Sequence, residues 1–268
     1  MKNLPLISVI IASYNAVSTI EKTINSVTAQ TYPNIEFIVI DGGSTDGTVG
    51  ILENGKWKKE NGKRKNKIIF RWISEKDRGI ADAFNKGMRM SHGDYIYFLG
   101  ADDVLKTPHV IEEMMVGIDP KKDMIICGKV DRIRDTKKYS VIYTSSLQFS
   151  PWMLLYKMGL PHQGMFMNKR FFNKYGVFNT RLKYAMDYDL LLRAYHRFPN
   201  VIFKNVIVAG WREGGVGKNR IFEILKEYHS IRIRNHIAPF WFLWIIYVFS
   251  CIRYVPEFLL ERFVSRSL

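Results

Sequence analysis

From Leu6 to Gly100 the chain repeats one pattern: an apolar run of strand length, a polar turn, then a segment with helical spacing. Leu6–Ala12, Ile35–Asp41, Ile68–Ile73 and Tyr95–Leu99 read as buried strands. Val17–Gln30, with Ile20, Ile24 and Val27 on one face, a segment from about Thr45, and Ile80–Met90 read as helices. Strands joined through helices run parallel, because the crossover returns the chain to the same end of the sheet. The spacing therefore predicts an α/β fold: a mostly parallel, Rossmann-like sheet flanked by helices. A hydrophobic content of 47% is ample for such a core.

This topology sorts polar residues by position. Ser13, Asn15, Asp41, Asp77 and Asp102 each follow a predicted strand, so they gather along the sheet edge where ligands bind. Taken singly, each is also an ordinary turn or cap residue. The fourth strand stops on Asp102-Asp103. Two adjacent carboxylates repel each other unless positive charge lies beside them. A hard divalent cation carrying a diphosphate would supply that charge through oxygen ligands; plain N-capping by the pair is the alternative.

The second half is less regular. Met124–Val130 and Tyr139–Thr144 read as strands, Phe149–Met158 as a short helix, and Pro161–Asn168 as an extended segment. Asp187–Arg197 reads as a helix, Val201–Ala209 as a strand, Trp211–Lys218 as a Gly-rich loop and Arg220–Asn235 as a helix with a basic end. Cys127 and Cys251 share no metal-type spacing and read as reduced thiols of a cytosolic protein. Leu4–Ala12 contains Pro5 and lacks a small-residue cleavage pattern, so it reads as a strand and not a leader.

Charge narrows the partners. Forty Lys and Arg against 25 Asp and Glu leave a net +15, which favours phosphate-bearing ligands or an anionic lipid surface. Lys56–Lys67, with seven basic residues and one Glu, is a solvated surface or a headgroup contact. Ile237–Ile252 is dense in Trp, Phe, Ile and Tyr between Arg232, Arg234, Arg253 and Arg262. It is shorter than the ~20 residues of a bilayer span. An in-plane membrane helix is the expectation, with a core helix or a true span as alternatives.

Four motifs then occur in a telling order: Ser8–Asn15, Asp41–Thr48, Asp77–Gly87 and Gly100-Ala101-Asp102-Asp103. Together they resemble family 2 of the glycosyltransferases, over roughly residues 5 to 215. The resemblance implies a GT-A fold, a nucleotide-sugar donor, a divalent cation (Mn²⁺ or Mg²⁺) and inversion at the anomeric carbon. It assigns donor contacts to Ala12, Ser13, Asn15, Asp41, Asp77 and Asp102, and the metal to Asp103 with Asp102. Tyr184–Leu190 resembles the acidic motif in which one Asp deprotonates the acceptor hydroxyl, which points to Asp187; Asp189 ranks second and either holds the helix or touches the acceptor. A helix-start position favours negative charge there. His162 and Gln163 lie in a stretch similar to an acceptor-side segment, and Trp211 with Gly214-Gly215-Val216 is expected to close over the substrates. Two departures stand out: Gly42-Gly43 where many members carry a second acid, and Gly100 where many carry a leading Asp.

The expected organisation is a GT-A domain over 1–219, with a donor half to about 105 and an acceptor half over about 106–219, then a helical, membrane-associating tail over 220–268. A saccharide or lipid-linked saccharide acceptor at the cytoplasmic membrane face, as in surface-polysaccharide synthesis, suits this composition. No nucleic-acid partner is expected. The rivals are a metal-dependent nucleotidyltransferase, although no phosphate loop ending in Lys-Ser or Lys-Thr is present, and a non-enzymatic basic protein that binds nucleic acid or membrane.

Overall fold

The computed structural model describes residues 4–55, 68–135, 140–212, 217 and 220–266. Its first half alternates as the spacing predicts: β1 (Ile7–Ser13), α1 (Ile20–Thr28), β2 (Ile35–Asp41), α2 (Thr48–Asn54), β3 (Ile69–Ser74), α3 (Ile80–Met90) and β4 (Tyr95–Gly100). The chain continues through β5 (Val104–Leu105), α4 (Val110–Met115), β6 (Ile125–Asp135), β7 (Ser140–Thr144), β8 (Met165–Asn168) and α5 (Lys169–Tyr175). It ends with α6 (Met186–Leu192), β9 (Val201–Arg212), α7 (Ile221–Arg234) and α8 (Phe240–Arg266).

Among the described residues one nine-stranded sheet runs β3-β2-β1-β4-β8-β6-β9-β5, with β7 paired to β6. The β3-β2-β1-β4 part is parallel. Beyond it β8 is antiparallel to β4 and to β6, while β9 runs parallel to β6 and antiparallel to β5. The sheet is thus mixed, because strand and crossover helix stop alternating after β4. Register gathers the strand tips: Ser13 lies opposite Asp41, Asp41 opposite Ser74, and Ala12 opposite Gly100.

Strands β1, β2 and β4 are buried on both faces, which is why they read as near-continuous apolar runs, whereas the edge strand β3 is partly exposed along its length. Along β1 the two-residue period sends Val9 and Ile11 to one cluster, with Ile20, Ile24 and Val27 of α1 and Val110 of α4. Ile10 goes to the other, with Phe84 of α3, Phe171 of α5 and Tyr188 of α6.

Several expected boundaries move for local reasons. Helix α1 begins at Ile20 and not Val17, because Ala16 N–H donates to Thr48 Oγ1 (2.9 Å) and Val17 N–H to Asp46 Oδ2 (3.0 Å), holding that segment as a turn. The helix expected over Phe149–Met158 is a 3-10 turn, Pro151–Leu155, and another, His162–Gly164, precedes β8. The helix expected over Asp187–Arg197 is α6 followed by a 3-10 turn at Tyr195–Arg197. Strand β9 runs on to Arg212, so Trp211 is a strand residue and not part of a loop. Lys56–Lys67 and Gly214-Gly215-Val216 lie outside the described residues.

Pro239 sits just ahead of α8, where its fixed φ and missing N–H suit a helix start. Helices α7 and α8 lie against each other through His229 and Tyr247, stacked at 4.7 Å. Ile231, Ile237 and Leu243 join the cluster that holds Tyr188, so the expected tail shares a core with the acceptor half. Among the described residues no helix is long and apolar enough to cross a membrane.

Gly87 marks the closest approach of α3 to β1: a Cβ there would lie 2.3 Å from Ile10 Cγ2. Gly87→Ala is expected to destabilise the fold by about 1–3 kcal/mol in urea unfolding through overpacking. A gain of roughly 1 kcal/mol from helix propensity alone would show that α3 does not pack this tightly.

Candidate active site

The turn after β1 and the turn after β2 are laced together. Asn15, in the left-handed region at φ 47°, donates its N–H to Ser44 Oγ (2.7 Å) and accepts from Thr45 N–H at Oδ1 (3.0 Å). The Ser13 carbonyl accepts Gly42 N–H (2.8 Å), while its hydroxyl is buried without a partner among the described residues. Ala12 is partly buried and packs beside Ile38 and Ile40.

Asp41 corrects an expectation. It is wholly buried, and its carboxylate accepts Gly43 N–H (3.1 Å), Ser44 N–H (2.9 Å), the Ser44 hydroxyl (2.5 Å) and the Ser74 hydroxyl (2.6 Å). A carboxylate has about four acceptor positions, and four donors meet this one. Three of these donors meet Oδ2 and one meets Oδ1, so the buried carboxylate braces the loop and is shut away from a donor nucleoside. Gly42 beside it is packed closely: a Cβ there would lie 2.8 Å from Asp77 Oδ2 and 3.3 Å from the Tyr14 ring, so glycine is what lets both approach this turn. Asp77 accepts Gly79 N–H at Oδ1 (2.8 Å) and rests Oδ2 against Gly42, beside a Tyr14 that is 67% exposed. Tyr14 was not among the sequence candidates; its signal is an aromatic in a polar turn at a strand tip.

The second corner lies at the end of β4. Asp103 is buried and Asp102 exposed. Asp103 Oδ2 accepts Gly100 N–H (3.1 Å) and Gln163 Nε2 (3.4 Å), whereas Oδ1 is buried with no partner among the described residues. Burial, then the neighbouring Asp102 charge, pushes the Asp103 carboxyl up to about 7. A Cβ at Gly100 would lie 2.9 Å from Asp102 Oδ1 and 2.9 Å from Asp103 Oδ2, so glycine is what lets both carboxylates fold back over this point. The Thr23 hydroxyl of α1 sits 2.9 and 2.8 Å from the carbonyls of Ala101 and Asp103 and pins the turn. An orphaned carboxylate oxygen beside a second carboxylate fits a hard divalent cation. Among the described residues no group of three or more metal-ligating side chains forms, so Asp103 and Asp102 are what the protein offers here. A cavity of about 230 Å³ opens beside Asp102, with Ser18, Thr19 and Lys22 of the α1 end on its wall.

On the opposite sheet face, Asp187 is partly exposed in the first turn of α6 and accepts Tyr188 N–H (2.8 Å). His162 is stacked against Phe84 and Phe98 at 5.8 and 5.6 Å, with both ring nitrogens buried and unpartnered among the described residues. Burial lowers its pKa, and the Asp187 charge opposes that shift. These two groups therefore face one electrostatic space. Gln163 is partly buried and donates one amide N–H to Asp103 Oδ2 (3.4 Å), which ties it to the carboxylate pair. Asp189 is fully buried, with Arg193 on Oδ2 and Arg234 on Oδ1 (2.6 Å), so of the two roles open to it the structure favours holding α6 over touching an acceptor. Trp211 pairs with Arg132 in the sheet instead of capping a loop.

Glu227 of α7, absent from the sequence candidates, sets the approach to α6. Its carboxylate accepts the N–H groups of Lys183, Tyr184 and Ala185 at 2.8, 2.9 and 3.0 Å. No local pattern could expose that bond, since its partners are about 42–44 residues away.

A mixed sheet with a parallel half whose strand tips carry linked turns and a carboxylate pair is the architecture of a GT-A fold. Solved structures agree on the fold. S. aureus TarS matches with a TM-score of 0.65 at 18% identity, over 93% of this chain and 43% of TarS. The mannosyltransferase PcManGT from Pyrobaculum calidifontis, solved with GDP-Man and Mn²⁺, matches with a TM-score of 0.64 at 18% identity, over 93% of this chain and 70% of that one. The model of glycosyl transferase family 2 matches residues 8–181, and the chain belongs to that family. A PGL/p-HBAD biosynthesis glycosyltransferase of Mycobacterium bovis BCG is 28% identical over 228 residues, 84% of this chain and 82% of its own length. A glycosyltransferase of Rickettsia conorii is 30% identical across 89% of this chain but only 37% of its own length. Membership sets aside the non-enzymatic and nucleotidyltransferase readings.

The Asp103 carboxyl binds its proton more tightly in the folded chain than in the unfolded one. Between its ordinary value of 3.8 and about 7 the folded chain therefore holds more protons, and stability falls as pH rises through that window. Asp103→Asn is expected to flatten this slope in thermal melts. Added Mn²⁺ should raise the melting temperature of the wild-type chain at neutral pH and leave that of the variant unmoved.

Proposed function

We propose that this glycosyltransferase moves a sugar from a nucleotide-sugar donor to a hydroxyl of a saccharide or lipid-linked saccharide, with inversion, in cell-surface polysaccharide synthesis. The observation that carries the reading is the carboxylate pair at the β4 tip, with Asp103 Oδ1 buried and without a partner among the described residues. PcManGT was solved with GDP-Man and Mn²⁺, and TarS with UDP-GlcNAc, which supports a donor of the same kind here.

In this reading the nucleoside lies over the linked turns at Ala12–Asn15 and Ser44–Thr45. Tyr14 offers a face to the base, and Asp77 Oδ2, beside it at Gly42, accepts from the nucleoside. Asp103 and Asp102 would hold a divalent cation, Mn²⁺ or Mg²⁺, which supplies positive charge against the leaving diphosphate. The cavity walled by Lys22 accommodates that diphosphate beside Asp102. Asp187 takes the proton of the acceptor hydroxyl as its oxygen bonds the anomeric carbon, and the bond from that carbon to the diphosphate oxygen breaks. One base and no second carboxylate nucleophile gives a single displacement and hence inversion. His162, neutral and stacked on Phe84 and Phe98, lines the acceptor side. The donor half to about 105 and the acceptor half to 219 divide these tasks.

Asp187→Asn is expected to retain donor binding in calorimetry while losing roughly two to four orders of magnitude in turnover. Asp103→Ala should lose metal-dependent donor binding instead. Screening nucleotide-sugars for Mn²⁺- or Mg²⁺-dependent turnover identifies the donor, and NMR of the product reads its anomeric configuration. A fully active Asp187→Asn enzyme, or a retained configuration, would overturn the assignment of the base.

A further inference from the structure

Among the described residues one side of helix α8 is largely uncovered, with only Phe240 at its start reaching a ring on another helix, His229, at 6.5 Å. Phe240, Trp241, Trp244, Ile245, Phe249 and Ile252 are 43–70% exposed. At 100° per residue they fall on one side of the helix, over a length of about 18 Å. Leu243 and Ile246, on the other side, are buried. A continuous exposed apolar face of this kind marks an interaction surface.

We infer that this face lies in the surface of a bilayer containing anionic lipid, and that it presents the acceptor side of the enzyme to that membrane. Three observations favour lipid over a protein partner or a second copy. Protein interfaces carry about one hydrogen bond per 100–200 Å², whereas these six side chains offer two indole N–H groups and no acceptor. Trp and Phe beside basic residues suit the headgroup boundary. Between Tyr228 and Pro256 there is no Asp or Glu, Arg253 is exposed at the border of the face, and the whole chain carries +15.

The same helix pair braces the base. Tyr228 of α7 stacks on Tyr188 at 4.1 Å, one residue after Asp187, and Glu227 holds the segment leading into α6. A bilayer under α8 therefore sits under the helices that carry Asp187, so the acceptor class is a saccharide displayed on a membrane lipid. This second part rests on Asp187 being the base; the docking does not.

The test uses the full chain with vesicles of phosphatidylcholine alone and of phosphatidylcholine with phosphatidylglycerol. Co-sedimentation with the mixed vesicles and quenching of tryptophan fluorescence by brominated lipid chains are expected. Trp241→Glu with Phe249→Glu should weaken partitioning about ten-fold or more, with unchanged circular dichroism and unchanged hydrolysis of UDP-, GDP- and dTDP-sugars in solution. Trp241→Phe with Trp244→Phe, which keeps the apolar face, should still bind but lose most of the quenching. Unaltered vesicle binding by the Glu variant overturns the inference. So does self-association of the wild-type chain that the Glu variant abolishes without any vesicle binding. Failure of wild-type vesicle binding with intact sugar-nucleotide hydrolysis would sink the docking and leave the transferase reading standing; the reverse outcome would do the opposite.

Discussion

Two carboxylates meet at the tip of β4 with too little positive charge between them, and the site is arranged around that repulsion. Asp103 is driven out of water by the strand that precedes it, and Asp102 adds a like charge alongside. Gly100 N–H, the Gln163 amide and the Thr23 hydroxyl hold the turn in place without neutralising it. A buried anion with a vacant lone pair is a poor structural element and a good cation ligand. Gly100 belongs to the same device, since any side chain there would push the two carboxylates apart.

The setting of Asp187 depends on residues far along the chain. Asp189 is locked by Arg193 and Arg234, Glu227 collects three successive N–H groups ahead of α6, and Tyr228 stacks on Tyr188. Arg232 completes this brace. It is fully buried without a carboxylate partner among the described residues, bonded to the Tyr188 hydroxyl (2.8 Å) and the Tyr156 carbonyl (3.1 Å), and set over the Tyr188 and Tyr228 rings. Cation–π contact and two neutral acceptors offset part of the desolvation of that guanidinium. The position of Asp187 is thus set from α7.

Legibility in the sequence followed the range of the interaction. Strands β1, β2 and β4 are readable because burial on both faces leaves a continuous apolar run, and α3 because its apolar residues share one face. The 3-10 turns at Pro151–Leu155 and His162–Gly164 are not, since packing rather than periodicity shapes them. Asp41 reads as a ligand contact because it ends a strand, but its burial among Gly43, Ser44 and Ser74 depends partly on β2 lying beside β3. For Gln163 and Asp189 the motif locates the residue, while a partner about 4 to 60 positions away decides what its side chain does.

From residue order alone came the α/β alternation, the family, and the strand tips that must share an edge, because each of these is written in short-range periodicity and motif. Three-dimensional packing alone decided which of the carboxylates remain available for chemistry. Asp103 keeps an open oxygen, Asp77 stays partly exposed beside Gly42, and Asp41 and Asp189 are buried among their donors. The physical reason is that a carboxylate has few acceptor positions, and their allocation is settled by donors that only the folded chain brings near.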